Sequence, residues 1–214
     1  NAYFKLGDIQ KAFDDYNLAI KINSNLGRVY YNRGSAYFRI GEDRKAIADY
    51  DRAIQINPND VEAYNNRGKI YFKLKEDRQA IADYDRAIEI NPNLAEIYHN
   101  RGNVYSEMGD NQKAIADYDR AIEINPNLAK VYYCRANAYF KLEEYQKAIE
   151  DCQIAIDLNP NCGEAYLVLG NIYDTQGDLE KAISCLSKAA ESYRLEGDTE
   201  YYQQIIDYIQ QFKN

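Results

Sequence analysis

The sequence predicts an all-α fold, an α-solenoid built from antiparallel helix pairs. Three observations predict it: a 34-residue period, apolar or small residues spaced three and four apart inside each period, and a turn signal between the two runs. The period is carried by Asn57-Pro58-Asn59, Asn91-Pro92-Asn93, Asn125-Pro126-Asn127 and Asn159-Pro160-Asn161, each 34 residues after the last. Ala-Asp-Tyr-Asp-Arg-Ala-Ile keeps the same step from Ala48 to Ala82 to Ala116. The register defines full units at residues 27–60, 61–94, 95–128, 129–162 and 163–196, with a truncated unit at 1–26 and a closing segment at 197–214, all in one solenoid domain.

In the unit that runs from Val61 to Leu94, Tyr64, Gly68 and Tyr71 mark one face of a first helix, and Ala80, Tyr84 and Ala87 mark one face of a second. Lys75-Glu76 separates them. Gly41-Glu42, Gly109-Asp110 and Gly177-Asp178 stand there in other units, where glycine accepts the positive φ of a helix end. Each second helix is expected to stop at Asn-Pro, because the residue before proline is pushed out of the α region and proline cannot donate a backbone hydrogen bond.

Both ends depart from the pattern. Asn1-Ala2-Tyr3 aligns with the middle of a first helix, and Ser24 stands where the proline belongs. The expectation is a piece of a longer chain with an uncapped upstream edge. Downstream, Arg194 replaces the proline, and Tyr202, Ile205, Ile209 and Phe212 form a narrow apolar stripe. That stripe fits a capping helix, which a solenoid needs to cover its last apolar face.

Composition excludes several functions. A formal charge of −8 and a pI near 4.8 give no electrostatic footprint for nucleic acid. No apolar stretch is long enough to span a bilayer. Cys134, Cys152, Cys162 and Cys185 are spaced 18, 10 and 23 residues apart, which is neither a zinc pattern nor a redox pair. They are read as free thiols in a reducing, cytoplasmic compartment, with a disulfide as the alternative. No charged-then-apolar targeting signal precedes the repeats. His99 is the only histidine, and there is no Gly-rich phosphate loop or isolated carboxylate pair. The expectation is a protein that is not an enzyme and carries no cofactor or metal.

Tyr64, Gly68, Tyr71, Ala80, Tyr84, Ala87 and Pro92 sit where the tetratricopeptide repeat has its large, small, aromatic, small, aromatic, small and proline positions. The chain therefore resembles a tetratricopeptide repeat protein over nearly its whole length. The resemblance implies a right-handed superhelix and a scaffold that binds a peptide or partner protein. It places positions 2, 5, 6, 9, 12 and 13 of each first helix on the concave groove.

Of the 22 tyrosines, fifteen fall at positions 4, 11 and 24 and are read as core. Position 7 departs from the family, which prefers an apolar residue there: Arg33, Arg67, Arg101 and Arg135 recur with Asp49, Asp83, Asp117 and Asp151 at position 23. In the last unit both change, to Leu169 and Cys185. Four structural Arg-Asp pairs within repeats are expected.

The groove residues are the candidate peptide site. Position 6 holds Asn32, Asn66 and Asn100, resembling the asparagine ladder of the O-linked N-acetylglucosamine transferase superhelix; the alternative is asparagine on a solvated helix face. Position 5 adds Tyr31, Asn65, His99 and Tyr133, and position 9 adds Lys69, Asn103 and Asn137. Position 12 adds Phe38, Phe72 and Phe140 as anchors, with packing against the adjacent unit as the alternative. Arg28, Arg39, Lys69, Lys73, Lys130 and Lys141 oppose Glu62, Glu96 and Glu107 at the groove positions, which favours an acidic peptide. The carboxylate clamp of chaperone-binding members is not reproduced: Asn100 and Lys130 fit two of its five places, but Asn65, Lys69 and Cys134 occupy the others. A self-assembling solenoid, or an accessory region of a larger multidomain protein, is the alternative function, the former through the uncapped edge.

Overall fold

A computed structural model describes residues 6–212. The expectation for Asn1-Ala2-Tyr3 lies outside the described residues. After α1 (Leu6–Ile22), each unit contributes a first and a second helix. These are α2 (Gly27–Arg39) and α3 (Asp43–Ile56), α4 (Val61–Lys73) and α5 (Asp77–Ile90), and α6 (Ala95–Glu107) and α7 (Asn111–Ile124). Next come α8 (Ala129–Lys141) and α9 (Tyr145–Leu158), α10 (Gly163–Thr175) and α11 (Leu179–Glu196), and finally α12 (Thr199–Gln211). No strand occurs among the described residues. Two compact units make up the chain, Asn1–Val104 and Tyr105–Asn214.

The turn inside each repeat has one geometry irrespective of its sequence. Gly41, Gly109 and Gly177 adopt φ of 80°, 82° and 78°, and Lys75 and Glu143 adopt 60° and 62° at the same position. The next amide reaches back five residues, Glu42 N to Tyr37 O at 2.9 Å and Glu76 N to Tyr71 O at 2.8 Å, closing the helix end. Lys75 and Glu143 therefore hold a left-handed conformation that glycine would adopt without strain.

The second helices α3, α5, α7 and α9 end at Asn57, Asn91, Asn125 and Asn159, all in extended backbone, as a residue before proline must be. The repeated asparagine has a further role. Its side-chain oxygen accepts from the amide two residues on, at 3.2, 3.1, 3.1 and 3.2 Å in the four copies. Where Arg194 replaces the proline, α11 runs to Glu196 before Gly197 ends it at φ 81°.

The core is a chain of local clusters. Ala80, Tyr84 and Ala87 of α5 pack with Ile97 and Val104 of α6, so the second helix of one repeat is sealed by the first helix of the next. Tyr132 and Ala136 of α8, Cys152 of α9 and Leu169 and Ile172 of α10 form the equivalent cluster further along. On α12, Ile205 and Ile209 are buried against Leu186, Ala189 and Ala190 of α11, with Tyr202 and Phe212 flanking them.

A Cβ at position 8 would meet the position-24 side chain first, with the alanine at position 20 close behind at Gly34, where Ala46 O would lie 3.3 Å away. A Cβ at Gly68 would lie 2.8 Å from Tyr84 Cε1, and one at Gly170 would lie 2.7 Å from Leu186 Cγ, both partners at position 24. The ring or branched side chain reaches further across the hairpin than alanine does. Where position 8 is Ala136, position 24 is the smaller Cys152, and both are fully buried in one cluster. The two positions exchange volume, as a close-packed interior requires.

Candidate peptide-binding groove

The first helices carry the candidate residues because their other faces are committed to the core. In α2, positions 4 and 8 (Tyr30 and Gly34) are buried, which leaves Tyr31, Asn32, Ser35 and Arg39 on the remaining face. A cavity of about 560 Å³ opens there. It is lined by Tyr31, Asn32, Ser35, Ala36, Arg39 and Ile40 and closed by Ile9, Ala12 and Tyr16 of α1. Ser35, Ala36, Ile40 and the α1 residues are absent from the sequence-derived set. Ser35 occupies position 9, as Lys69 does, and could have been included on that ground; the α1 contribution follows only from packing.

The asparagine row does more than face solvent. Asn66 Nδ2 donates to Tyr31 Oη at 3.1 Å, and Asn100 Nδ2 donates to Asn65 Oδ1 at 3.0 Å. The Asn66 and Asn100 amides are thus each tied to position 5 of the preceding repeat, 35 residues back. These bonds fix the asparagines in place and use donor capacity that a ligand would otherwise meet. His99 is buried, 7% exposed, with Nε2 at 3.4 Å from Asn103 Nδ2, and presents little ring surface to a ligand.

Phe38 and Phe72 are half-buried against the clusters beneath them, and Phe140 packs with its ring centroid 5.9 Å from that of Tyr145. Lys73 Nζ lies 5.8 Å above the Phe38 ring, so the aromatic stripe is bound up with the cations beside it. Asn137 and Tyr133 are half-buried on the same helix as Phe140.

Charge in the groove is largely compensated within the wall. Arg28 pairs with Glu62 at 2.6 Å, Lys69 with Glu96 at 2.6 Å, and Lys73 with Asp43 at 2.8 Å. Each bond joins one repeat to the next. Counting charges on first helices overstated the free positive charge, because Asp43 belongs to a second helix. Lys130 and Lys141 are exposed and have no carboxylate partner among the described residues; Lys141 Nζ instead lies 3.3 Å from Ser106 Oγ.

The repeated arginines form a structural ladder that reaches beyond the hairpin. Arg33, Arg67 and Arg135 each make two hydrogen bonds with the position-23 aspartate of their own repeat, Asp49, Asp83 and Asp151, at 2.6–2.8 Å. The third nitrogen reaches the preceding repeat: Arg33 to Asn17 at 2.6 Å, Arg101 to Asp85 and Arg135 to Asp119 at 2.5 Å, and Arg67 to Asp51. The predicted hairpin pairs are thus half of a bridge. Burial pulls the Arg67 and Arg135 guanidinium groups down, but the hydrogen bonds and charges of the aspartates outweigh it and leave both raised, so they stay protonated. In the last repeat Leu169 and Cys185 are accompanied by Gln153 at the third corner, so all three charges leave together.

No disulfide joins any of the four cysteines. Burial, with the Glu164 charge assisting, pushes Cys134 up to about 12, and burial pushes Cys162 up to about 11. Among the described residues no group of His, Cys, Asp and Glu could hold a metal, and no helix is long and apolar enough to cross a membrane.

These helix pairs, closed in series by one repeat on the next, define an α-solenoid of the helix-turn-helix class. The TPR repeat model matches residues 1–41, 36–75, 68–109 and 102–143, and tetratricopeptide repeat models match 129–162 and 163–194. The chain belongs to the tetratricopeptide repeat family. No curated protein matches it. Among solved structures it is similar to MamA, at 27% identity over 77% of this chain and 96% of that one, with a TM-score of 0.69. It is also similar in fold to PilF of Pseudomonas aeruginosa, at 18% identity, 96% and 92% coverage and a TM-score of 0.76. A further similar fold is that of YrrB, a TPR protein with an unusual peptide-binding site, at 20% identity, 83% and 91% coverage and a TM-score of 0.69.

Proposed function

We propose that the chain is a protein-interaction scaffold that takes an extended, acidic segment of a partner protein along the exposed face of its first helices. The observation that carries this reading is the coincidence of Tyr31, Asn32 and Arg39 on the wall of one open cavity of about 560 Å³. Tyr31 and Asn32 supply a fixed amphipathic ring and an amide, which hold a peptide without demanding one sequence. The likeness to YrrB supports a peptide as the ligand class. Lys130 and Lys141, beside Tyr133 and Phe140, supply the charge that selects an acidic segment in the second unit.

A glutamate-rich fluorescent peptide and a lysine-rich one of equal length test the reading by anisotropy at two salt concentrations. The acidic peptide binds, more weakly at high salt, and Lys130→Glu/Lys141→Glu and Asn32→Ala/Arg39→Ala each lower its affinity. Equal binding of both peptides, or no change in either variant, counts against the groove.

A further inference from the structure

Outside the groove positions, the repeat that runs from Gly163 to Glu196 has lost the charged network that fills the others. In the repeats that keep it, the position-7 guanidinium lies between the position-4 and position-11 tyrosines. Arg33 is 5.6 and 5.9 Å from the Tyr30 and Tyr37 ring centroids, Arg67 is 5.6 and 5.8 Å from Tyr64 and Tyr71, and Arg135 is 5.7 and 5.9 Å from Tyr132 and Tyr139. Tyr166 and Tyr173 keep both rings, but Leu169 stops short of where the guanidinium would be, and Cys185 and Gln153 replace the two acids. A cavity of about 290 Å³ opens there, lined by both rings together with Leu169, Cys185 and Gln153.

Two lysines line that cavity, and no carboxylate does. Lys188 Nζ lies 5.2 Å from the Tyr166 centroid and has no carboxylate partner among the described residues. Lys181 Nζ lies 5.2 Å from the Tyr173 centroid and is paired with Asp178 at 2.7 Å. The amide of Gln153 donates to Asp157 at 2.8 Å. The floor is apolar, from Leu169 and Ile156, and the Ser184 hydroxyl and half-buried Cys185 thiol complete the wall.

We propose that this vacated guanidinium cage is a binding site for a small organic anion, an apolar body carrying one carboxylate. The body fills the space between Tyr166 and Tyr173 over Leu169, and the carboxylate meets Lys188, with Lys181 beside it. The removal of both acids is what turns a cage for a cation into a site for an anion: an arginine between two aspartates needs no further partner, whereas an ammonium over a tyrosine with no carboxylate does.

Benzoate is the probe, with inorganic phosphate as the head group alone and benzyl alcohol as the body alone. Benzoate titrated into the full chain shifts the backbone amide resonances of residues 181–188, with a dissociation constant on the order of 1 mM, and slows alkylation of Cys185 by iodoacetamide. Lys188→Gln weakens benzoate about tenfold, and Leu169→Arg/Cys185→Asp/Gln153→Asp, which refills the cage, abolishes the shifts. Lys188→Gln leaves the apolar walls intact, so its result stands even if the triple variant fails to fold. The proposal is overturned if benzoate produces no shift, if benzyl alcohol binds as well as benzoate, if phosphate alone binds as well, or if Lys188→Gln binds unchanged.

Discussion

Replacing Arg67 by leucine tests how the repeats are joined, because that guanidinium contacts two aspartates on two repeats. Its side chain is 17% exposed and that of Asp83 only 6%, so the substitution strands a buried carboxylate. Asp51, at 45% exposed, can be hydrated instead and contributes little. Removing one partner of a buried pair costs about 3–5 kcal/mol. For a chain of this length each kcal/mol lowers the melting temperature by roughly 2–4 °C, so Arg67→Leu is expected to melt ~6–20 °C below the parent. The triple variant Arg67→Leu/Asp83→Cys/Asp51→Gln installs the combination that Leu169, Cys185 and Gln153 already form, with no charge left to strand. It is expected to recover most of the loss, since exchanging a whole buried ionic group for neutral side chains is often neutral. Circular dichroism at 222 nm against temperature reads the global effect, and hydrogen exchange in α4 and α5 reads the local one, as stability in a repeat chain is a sum over neighbours. Equal melting of the single and triple variants would refute the reasoning, because the stranded charge would then carry no cost.

Three further outcomes follow from the packing. Gly68→Ala destabilises by about 1–3 kcal/mol in urea unfolding, since its Cβ would meet Tyr84 at 2.8 Å, but is neutral or stabilising on a Tyr84→Cys background that copies Ala136 and Cys152. Lys75→Gly and Glu143→Gly, at φ of 60° and 62°, each raise the urea midpoint, by about 1 kcal/mol in stability, whereas Gly109→Ala lowers it. Burial raises the Cys134 and Cys162 thiols to about 12 and about 11 from an ordinary 9.0, so the folded chain binds protons that the unfolded chain has released. Stability is therefore full below pH 9 and falls as pH rises toward 11–12; a urea midpoint that rises over that interval would contradict this.

The 34-residue step, the hairpin in each unit and the stop at Asn-Pro were legible in the sequence because each rests on local chemistry: helical periodicity, a left-handed turn position and a proline that cannot donate. Position within the repeat marked the position-24 tyrosines Tyr50, Tyr84 and Tyr118 as core. The position-11 tyrosines Tyr37, Tyr71, Tyr105, Tyr139 and Tyr173, also read as core, are only half-buried, because that position lies at the rim of the hairpin beside the position-7 side chain. Tertiary structure alone decided which neighbour each outward side chain meets. Asn66 and Asn100 proved to be bonded to position 5 of the preceding repeat, Lys73 to an aspartate of a preceding second helix, and the Arg-Asp pairs to a third partner one repeat away. Gln153 gained meaning only once Arg135 was seen to reach back to Asp119, since that contact shows what the third corner of the cage does. The physical reason is common to all of these. A repeat's sequence fixes the hydrogen bonds and faces of its own helices, but the distance and angle at which the next repeat stacks set which polar groups come within 3 Å. Those depend on how the second helix of one repeat packs on the first helix of the next, as Ala80, Tyr84 and Ala87 pack with Ile97 and Val104.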